Sequence, residues 1–537
     1  MNLNIYDLPK KPFGFLSFTL LCLFQQAHAQ EGLTIASGNE KITIGKNYTM
    51  VVGGKIENSA AAANFVVESD ANLIQISESA VNVGSITVFR DSPMKKNNYT
   101  YWSSPVSGQQ LGAFSPGTNS SRFYQYMQGT NQFATVTPLS SPFVPGKGYA
   151  IMAPSAYSLS STTVFQGTFV GVPNNGDQIR FTLERGAALP SKGFNMIGNP
   201  YPSNIDFDKL YAKNQSAIFQ TAYFWTNVDP NRPGSVGGNV NYSGNGYAIY
   251  NGTGGVFSVQ PAGEVGVAPT NIIKVGQGFI IKAKDDANGK TITFDNTMRS
   301  TAGESHFFSK QVNTAKDRFW LKLTTPARNV NTILIGYINN ASNDFEYDFD
   351  SPLMVVGSDS FYSILDDKKL GIQGRKYPLV KSDIVPLGTK HFEKGNYTVS
   401  LGDHEGIFNE GQAIYLTDLQ KNITTNLSEG DYVFSSEAGE FLNRFQIVYG
   451  LQNTLGVDSN VKGGVTVYRD SEDFVVQSGV KNIVSFEVVD MIGRLIIVNK
   501  TTNAKEIRLN AGGWVAGIYI IKLTLEDGSS VTKKIRR

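Results

Sequence analysis

The chain predicts an all-β protein made of tandem modules, and three observations carry that prediction. Charged residues are only 17% of its 537 residues, while aromatics reach 11%. Apolar runs are short, alternating or β-branched, and Gly, Asn, Asp and Pro interrupt them every few residues. Stretches with helical periodicity are few. Short strands joined by turns must bury one face against another sheet. The expected architecture is therefore a series of β-sandwich or jelly-roll-like modules behind a short solenoid-like β segment.

Residues 1–29 have the layout of a signal peptide. Lys10 and Lys11 precede an apolar run from Phe13 to Phe24, and Ala27-His28-Ala29 follows. The run is too short to span a bilayer, and Ala27 and Ala29 supply the small side chains a signal peptidase reads. Cleavage is expected after Ala29. Cys22, the one cysteine, would leave with the peptide. The mature chain then has no disulfide, no thiol catalysis and no thiolate metal site, and no second run long enough for a transmembrane helix.

Residues 30–94 carry very short strand signals at Ile42–Ile44, Tyr48–Val52, Phe65–Val67, Leu73–Ile76 and Ile86–Phe89. This spacing suits a few coils of a β-solenoid or half a sandwich, and the solenoid is the reading favoured. Residues 95–180 and 181–304 read as a diverged tandem repeat of β-sandwiches. Trp102-Ser103-Ser104-Pro105-Val106 corresponds to Ile197-Gly198-Asn199-Pro200-Tyr201. Pro145-Gly146-Lys147-Gly148-Tyr149 corresponds to Val275-Gly276-Gln277-Gly278-Phe279, a tight turn into a buried strand. Tyr126 and Phe133 pair with Tyr250 and Phe257 at identical spacing. The second copy is expected to carry an insertion in the loop Asp229–Gly246. After a linker at Ser305–Ala315, residues 317–452 form a further sandwich or jelly-roll. There Phe319, Leu321 and Leu323 alternate with Trp320, Lys322 and Thr324.

Residues 456–537 form a last β module. Val484–Val488 alternates with period two, Asp490-Met491-Ile492-Gly493-Arg494 is a turn, and Tyr519, Ile521, Leu523 and Leu525 share one face of a strand. Asp527-Gly528 is a hairpin signal, and Val531 and Ile535 return along the sheet. The segments around Val467, Asp490, Gly493 and Arg494, then Gly517, Tyr519 and Lys522, and the closing Lys533-Lys534, keep their order at the extreme C-terminus. In this they resemble the C-terminal sorting domain of type IX secretion cargo. Tyr468-Arg469-Asp470-Ser471 stands where many members have a Pro-Asn-Pro turn, so the module is closest to the variant class without that turn. The resemblance implies an Ig-like β-sandwich, export through the type IX translocon after entry to the periplasm, and a final location outside the cell or on its surface.

Chemistry-bearing residues are scarce. Net charge is +2 with no basic block, which gives no support to nucleic-acid binding. His306, His391 and His404 form no metal-ligand pattern. Gly146-Lys147 lacks the first glycine and the closing Ser or Thr of a phosphate loop. Asp344, Glu346, Asp348 and Asp350 recur at period two. Asp344, Asp348 and Asp350 are weak candidates for Ca²⁺, against the plainer expectation of an edge strand with aromatics inward and carboxylates solvated. No other cofactor is implied. Trp102, Tyr126 and Trp225 are weak candidates for stacking on a sugar ring, although most such residues are core. The reading favoured is an exported, non-catalytic adhesion or binding protein with a surface glycan or protein ligand. A carboxylate-dependent glycan-active hydrolase and a structural surface or matrix component are the alternatives.

Overall fold

The computed structural model describes residues 2–3, 32–38, 40–177, 179–186, 193–227, 246–260, 266–301, 316–450, 465–470, 472–479, 481–499 and 502–537. The signal-peptide cleavage residues Ala27 and Ala29, the linker and nearly all of the Asp229–Gly246 loop lie outside these. The protein is all-β, and its chain forms two compact units, Met1–Tyr449 and Gly450–Arg537.

The larger unit begins with a solenoid. Leu33–Ile35 lies parallel to Ile56–Asn58, Lys41–Ile44 to Phe65–Val67, and Thr49–Val52 to Asn72–Gln75, at one constant offset along the chain. Each coil buries its apolar side only when the next coil stacks on it. Ile86–Met94 closes the stack by running parallel to Phe65–Val67. Its other edge pairs antiparallel with Thr163–Pro173, a strand of the first sandwich. The expected break at residue 94 is therefore not a break in packing. Ile35, Phe65, Leu73, Ile86, Trp102, Phe114 and Phe169 share one core.

The two copies of the repeat follow one topology. In the first, Tyr149–Met152 pairs with Tyr99–Trp102 and Phe123–Met127, and the latter with Gln132–Thr135. In the second, Gly278–Ala283 pairs with Phe194–Gly198 and Ile218–Trp225, and the latter with Tyr247–Asn251. The Gly-x-Gly turns are equivalent: Gly146 and Gly276 both have φ near +70°, the region glycine enters without steric cost. Lys147 N and Gln277 N each close the turn onto the residue three before. The copies also clasp each other reciprocally. Ser103 N donates to Gly276 O at 2.9 Å, and Gly198 N donates to Gly146 O at 3.0 Å. The second copy adds a helix, Phe207–Asn214, capped by Asp206 and seated through Phe207 and Leu210.

Residues 317–449 form an eleven-stranded sheet curled around Phe319, Tyr337, Phe361, Tyr397 and Phe445. Asp317–Thr324 alternates as expected, with Phe319, Leu321 and Leu323 buried. Every neighbouring pair of strands is antiparallel except Val330–Ile338 beside Lys368–Lys376. Tyr101, Met196, Tyr223, Ile249, Leu334 and Ile372 join both repeat copies and this sheet in a further apolar cluster.

The smaller unit is a two-sheet sandwich. Val465–Asp470, Asp473–Ser478 and Glu506–Asn510 face Ile483–Asp490, Leu495–Asn499, Ile518–Leu525 and Ser530–Arg536. Its own core holds Val467, Phe474, Val488, Tyr519, Ile521, Leu523 and Ile535.

Candidate functional site

Strand register corrects the expected aromatic correspondence. Tyr124 sits opposite Ala150 and Tyr223 opposite Ile280, so Tyr126 is equivalent to Trp225. Tyr126 faces Phe133 across its hairpin, and Trp225 faces Tyr247 across the other. Tyr250 and Phe257 matched only by coincidence of spacing, because the insertion lies inside the second hairpin. The two equivalent pairs keep one geometry. Ring centroids are 5.5 Å apart at 67° in the first and 5.2 Å at 66° in the second.

These pairs meet around Tyr101. Its ring lies 6.0 Å from Phe133 and stacks 6.1 Å from Trp225, and its hydroxyl lies 2.6 Å from that of Tyr247. Tyr126 and Trp225 are half-buried. The Tyr126 hydroxyl donates to Asn131, and burial pushes its pKa up to about 12. Trp225 Nε1 donates to Asn227 Oδ1 at 2.9 Å. Asn227 in turn accepts from Tyr99 N at 2.7 Å and donates to Tyr99 O at 2.6 Å, taking the place of a neighbouring strand. The third candidate, Trp102, is not part of this surface. It is 2% exposed and packs edge-on against Phe114 and Phe165, so no sugar can reach its face.

The acidic run is a turn, which overturns the edge-strand expectation. Asp350 is 1% exposed, and its carboxylate accepts from Glu346 N at 2.8 Å and Gly374 N at 3.0 Å. Glu346 accepts from Ser342 N at 2.7 Å, and Asp348 from Gln220 N at 3.2 Å. Of the aromatics in the gaps, Tyr347 turns toward the second repeat copy, its ring 4.3 Å from Phe219 and under Lys282, while Phe345 lies under Lys368. Glu346, Asp348 and Asp350 thus serve backbone donors on different segments. Among the described residues no group of three His, Cys, Asp or Glu side chains converges to hold a metal ion, and Asp344, Asp348 and Asp350 are not brought together. Burial, with a smaller contribution from Glu346, pushes Asp350 up to about 7 despite its backbone donors. Among the described residues that line it, a crevice at Tyr247, Val256, Phe257, Asn331, Met354 and Phe361 carries no carboxylate on its walls.

In the smaller unit some motif residues build turns and strand ends, and others lie within strands. Asp490 accepts from Ile492 N and Arg494 N and pairs with Arg494 Nε at 3.0 Å, while Gly493 takes φ of 82°. Gly517 exchanges two backbone hydrogen bonds with Arg537. Tyr519 and Val467 are core, and the Tyr519 hydroxyl reaches Val515 O at 2.7 Å. Lys522 pairs with Glu487, and Lys533 and Lys534 lie on the last strand.

Residues 22–449 match the family model described as a domain of unknown function, DUF8693. The chain belongs to that family. Residues 455–536 match a further domain of unknown function, DUF8694. No curated protein matches the chain. Among solved structures, an immunoglobulin-like β-sandwich protein of the DUF3244 family from Bacteroides vulgatus is 17% identical over 15% of this chain and 87% of its own, with a TM-score of 0.13. The central fibronectin-III array of RIM-binding protein is 8% identical over 34% and 88%, TM-score 0.11. The BSP domain of a biofilm associated protein is 9% identical over 83% and 95%, TM-score 0.15. At these scores the three carry no statement about this chain.

The DUF8693 region holds buried charges that its sequence did not announce. Arg299 donates to Asn175 Oδ1 and Asn174 O at 3.2 Å and lies 4.4 Å over the Tyr201 ring, and burial lowers its pKa to about 10. Asp418 accepts from Arg444 Nη2 and Tyr432 Oη, both at 2.9 Å. These partners are far apart in the chain or follow no fixed spacing, so only folding reveals them.

Proposed function

We propose that this is an exported, surface-displayed binding protein without catalytic activity, and that its C-terminal module is a type IX sorting signal. The observation that carries this reading is the smaller unit itself. It has its own core, to which Val467 and Tyr519 belong, and Asp490, Gly493 and Arg494 hold one of its turns. A signal read by a transport machine must be a shape that survives apart from its cargo. The larger unit supports the binding half of the proposal. It presents two equivalent, partly buried aromatic pairs, Tyr126–Phe133 and Trp225–Tyr247, with Phe133 39% exposed, which could stack on a sugar or an apolar side chain.

The test is a truncation after Gly456 in a bacterium that exports proteins by this route. Residues 1–456 are expected to accumulate in the periplasm with a folded body, and their export into the medium would refute the sorting reading. A glycan array probed with the full chain, and with Tyr126→Ala and Trp225→Ala together, checks the binding half. Signals that the double variant loses place a glycan on the aromatic pairs. Signals identical in both proteins would remove that surface from consideration.

A further inference from the structure

Three polar side chains are sealed inside the module of residues 317–449. Gln373 and Thr389 are 0% exposed, and Ser363 is 1% exposed. Each shares a face with the apolar core. Gln373 stands opposite Ile335, Thr389 opposite Phe361 and Ser363 opposite Leu387, and those three partners belong to that core. Gln373 Nε2, Gln373 Oε1, Ser363 Oγ and Thr389 Oγ1 have no hydrogen-bond partner among the described residues. Leaving a buried polar group so costs more than an ordinary hydrogen bond returns. Native proteins meet such groups with a protein partner or with ordered water.

Strand register places the three side by side. Ile384–His391, Ser360–Leu365 and Lys368–Lys376 are consecutive neighbours in the sheet. Ser363, on the middle strand, pairs with Leu387 on one side and Leu370 on the other. Thr389 lies beyond Leu387 and Gln373 beyond Leu370, both in the direction of Phe361. Ser363 and Thr389 are thus diagonal neighbours across a strand pair, too far apart to bond directly and close enough to share a small bridging group. The main chain at Ser363 and at Thr389 is committed to ladders on both sides. The side chains opposite them, Leu387 and Phe361, offer no polar atom.

We propose that Ser363, Thr389 and Gln373 form an internal binding site for water, shared between them as a fixed part of this module. The chemistry of the three side chains selects that ligand. The Gln373 amide needs an acceptor for Nε2 and a donor for Oε1, and each hydroxyl can serve as either, so the ligand must both donate and accept. None of the three side chains is charged, so they would leave a buried ion without a counter-charge. A ligand much larger than water would have to push Phe361 or Leu387 out of a close-packed core. A buried water makes about three hydrogen bonds to otherwise unsatisfied groups, which these atoms can supply. The inference stands apart from the sorting and binding readings and does not depend on either.

The experiment is a crystal structure of the full chain at a resolution that shows ordered solvent. It is expected to place water within about 3.2 Å of polar atoms from at least two of the three side chains. A crystal pressurised with xenon should show none of the gas there, because xenon enters dry, apolar cavities. Xenon at this position, water that touches only one of the three, or side chains turned to bond other protein groups would each overturn the proposal. Solution measurements read the sharing directly. Ser363→Ala and Thr389→Val each remove one side of the bridge without adding bulk. Combined, they should lower the urea midpoint by clearly less than the two single shifts added together, because the second change finds the bridge already lost. Simple additivity of the two shifts would overturn the shared site.

Discussion

Two buried groups in the larger unit give the protein opposing responses to acid, and separating them tests how the unit is held together. Asp350 rises from an ordinary 3.8 to about 7 because it is buried near Glu346, with Arg375 acting the other way. The folded chain therefore keeps its proton longer than the unfolded chain does. Unfolding releases that proton between those two values, so stability falls as pH rises across the window, by at most about 4 kcal/mol. His391 behaves oppositely. Its ring is stacked 3.9 Å from Tyr397 beside Phe434 and Phe441, and burial, assisted by the Arg444 charge, takes it from 6.5 down to about 4. The unfolded chain binds that proton first, so this contribution is present above pH 6.5 and lost as pH falls toward 4, by at most about 3 kcal/mol. The two nearly cancel between pH 4 and 6.5. Asp350→Asn should unmask a stability that rises with pH, and His391→Phe one that falls. Urea unfolding read by tryptophan fluorescence reports this, since Trp102, Trp225 and Trp320 lie in the larger unit. All other titrating groups are shared, so the difference between each variant and the wild type isolates one residue. An Asp350→Asn profile parallel to the wild type would refute the argument.

Two further outcomes follow from the geometry. Arg444→Met keeps the stem over Phe434 and Phe445 but leaves Asp418 charged and fully buried, and should cost about 3–5 kcal/mol in the same urea assay. Replacing Asp418 by Leu as well should recover most of that loss, and no recovery would mean the pair is not an isolated electrostatic unit. Gly198→Ala would put a Cβ 2.3 Å from Ser103 Cβ, at the clasp between the repeat copies, and should lower stability by about 1–3 kcal/mol through overpacking. Gly108, whose added Cβ meets nothing within 4 Å, is the control: its φ of +86° alone should make Gly108→Ala cost about 1 kcal/mol.

Much of the fold was legible because period-two patterning and turn glycines are local signals. Phe319, Leu321 and Leu323 had to share a face, and Gly146 and Gly276 mark equivalent turns because few other residues tolerate that backbone. The short strands of residues 30–94 suited a solenoid and half a sandwich alike, and only their parallel stacking decides for the solenoid. Where reading went astray, the deciding physics was non-local. Asp344 to Asp350 alternates like a strand, yet Gly374 and Gln220 supply donors that only a turn can meet. Trp102 looked available for a ligand until Phe114 and Phe165 closed over it. Equal spacing paired Tyr126 with the wrong residue, because an insertion inside a hairpin changes register without disturbing composition. The Asn227 clamp on Tyr99 left no trace, since one asparagine in a loop resembles any other.

The reciprocal bonds from Ser103 to Gly276 and from Gly198 to Gly146 have the exchange character of a two-fold homodimer interface written into a single polypeptide. Covalent fusion makes such an association intramolecular, so it no longer weakens on dilution. Fusion also releases each half from having to match the other. That freedom is where an extra helix and a lengthened hairpin could be accommodated on one side while the shared contact stayed intact.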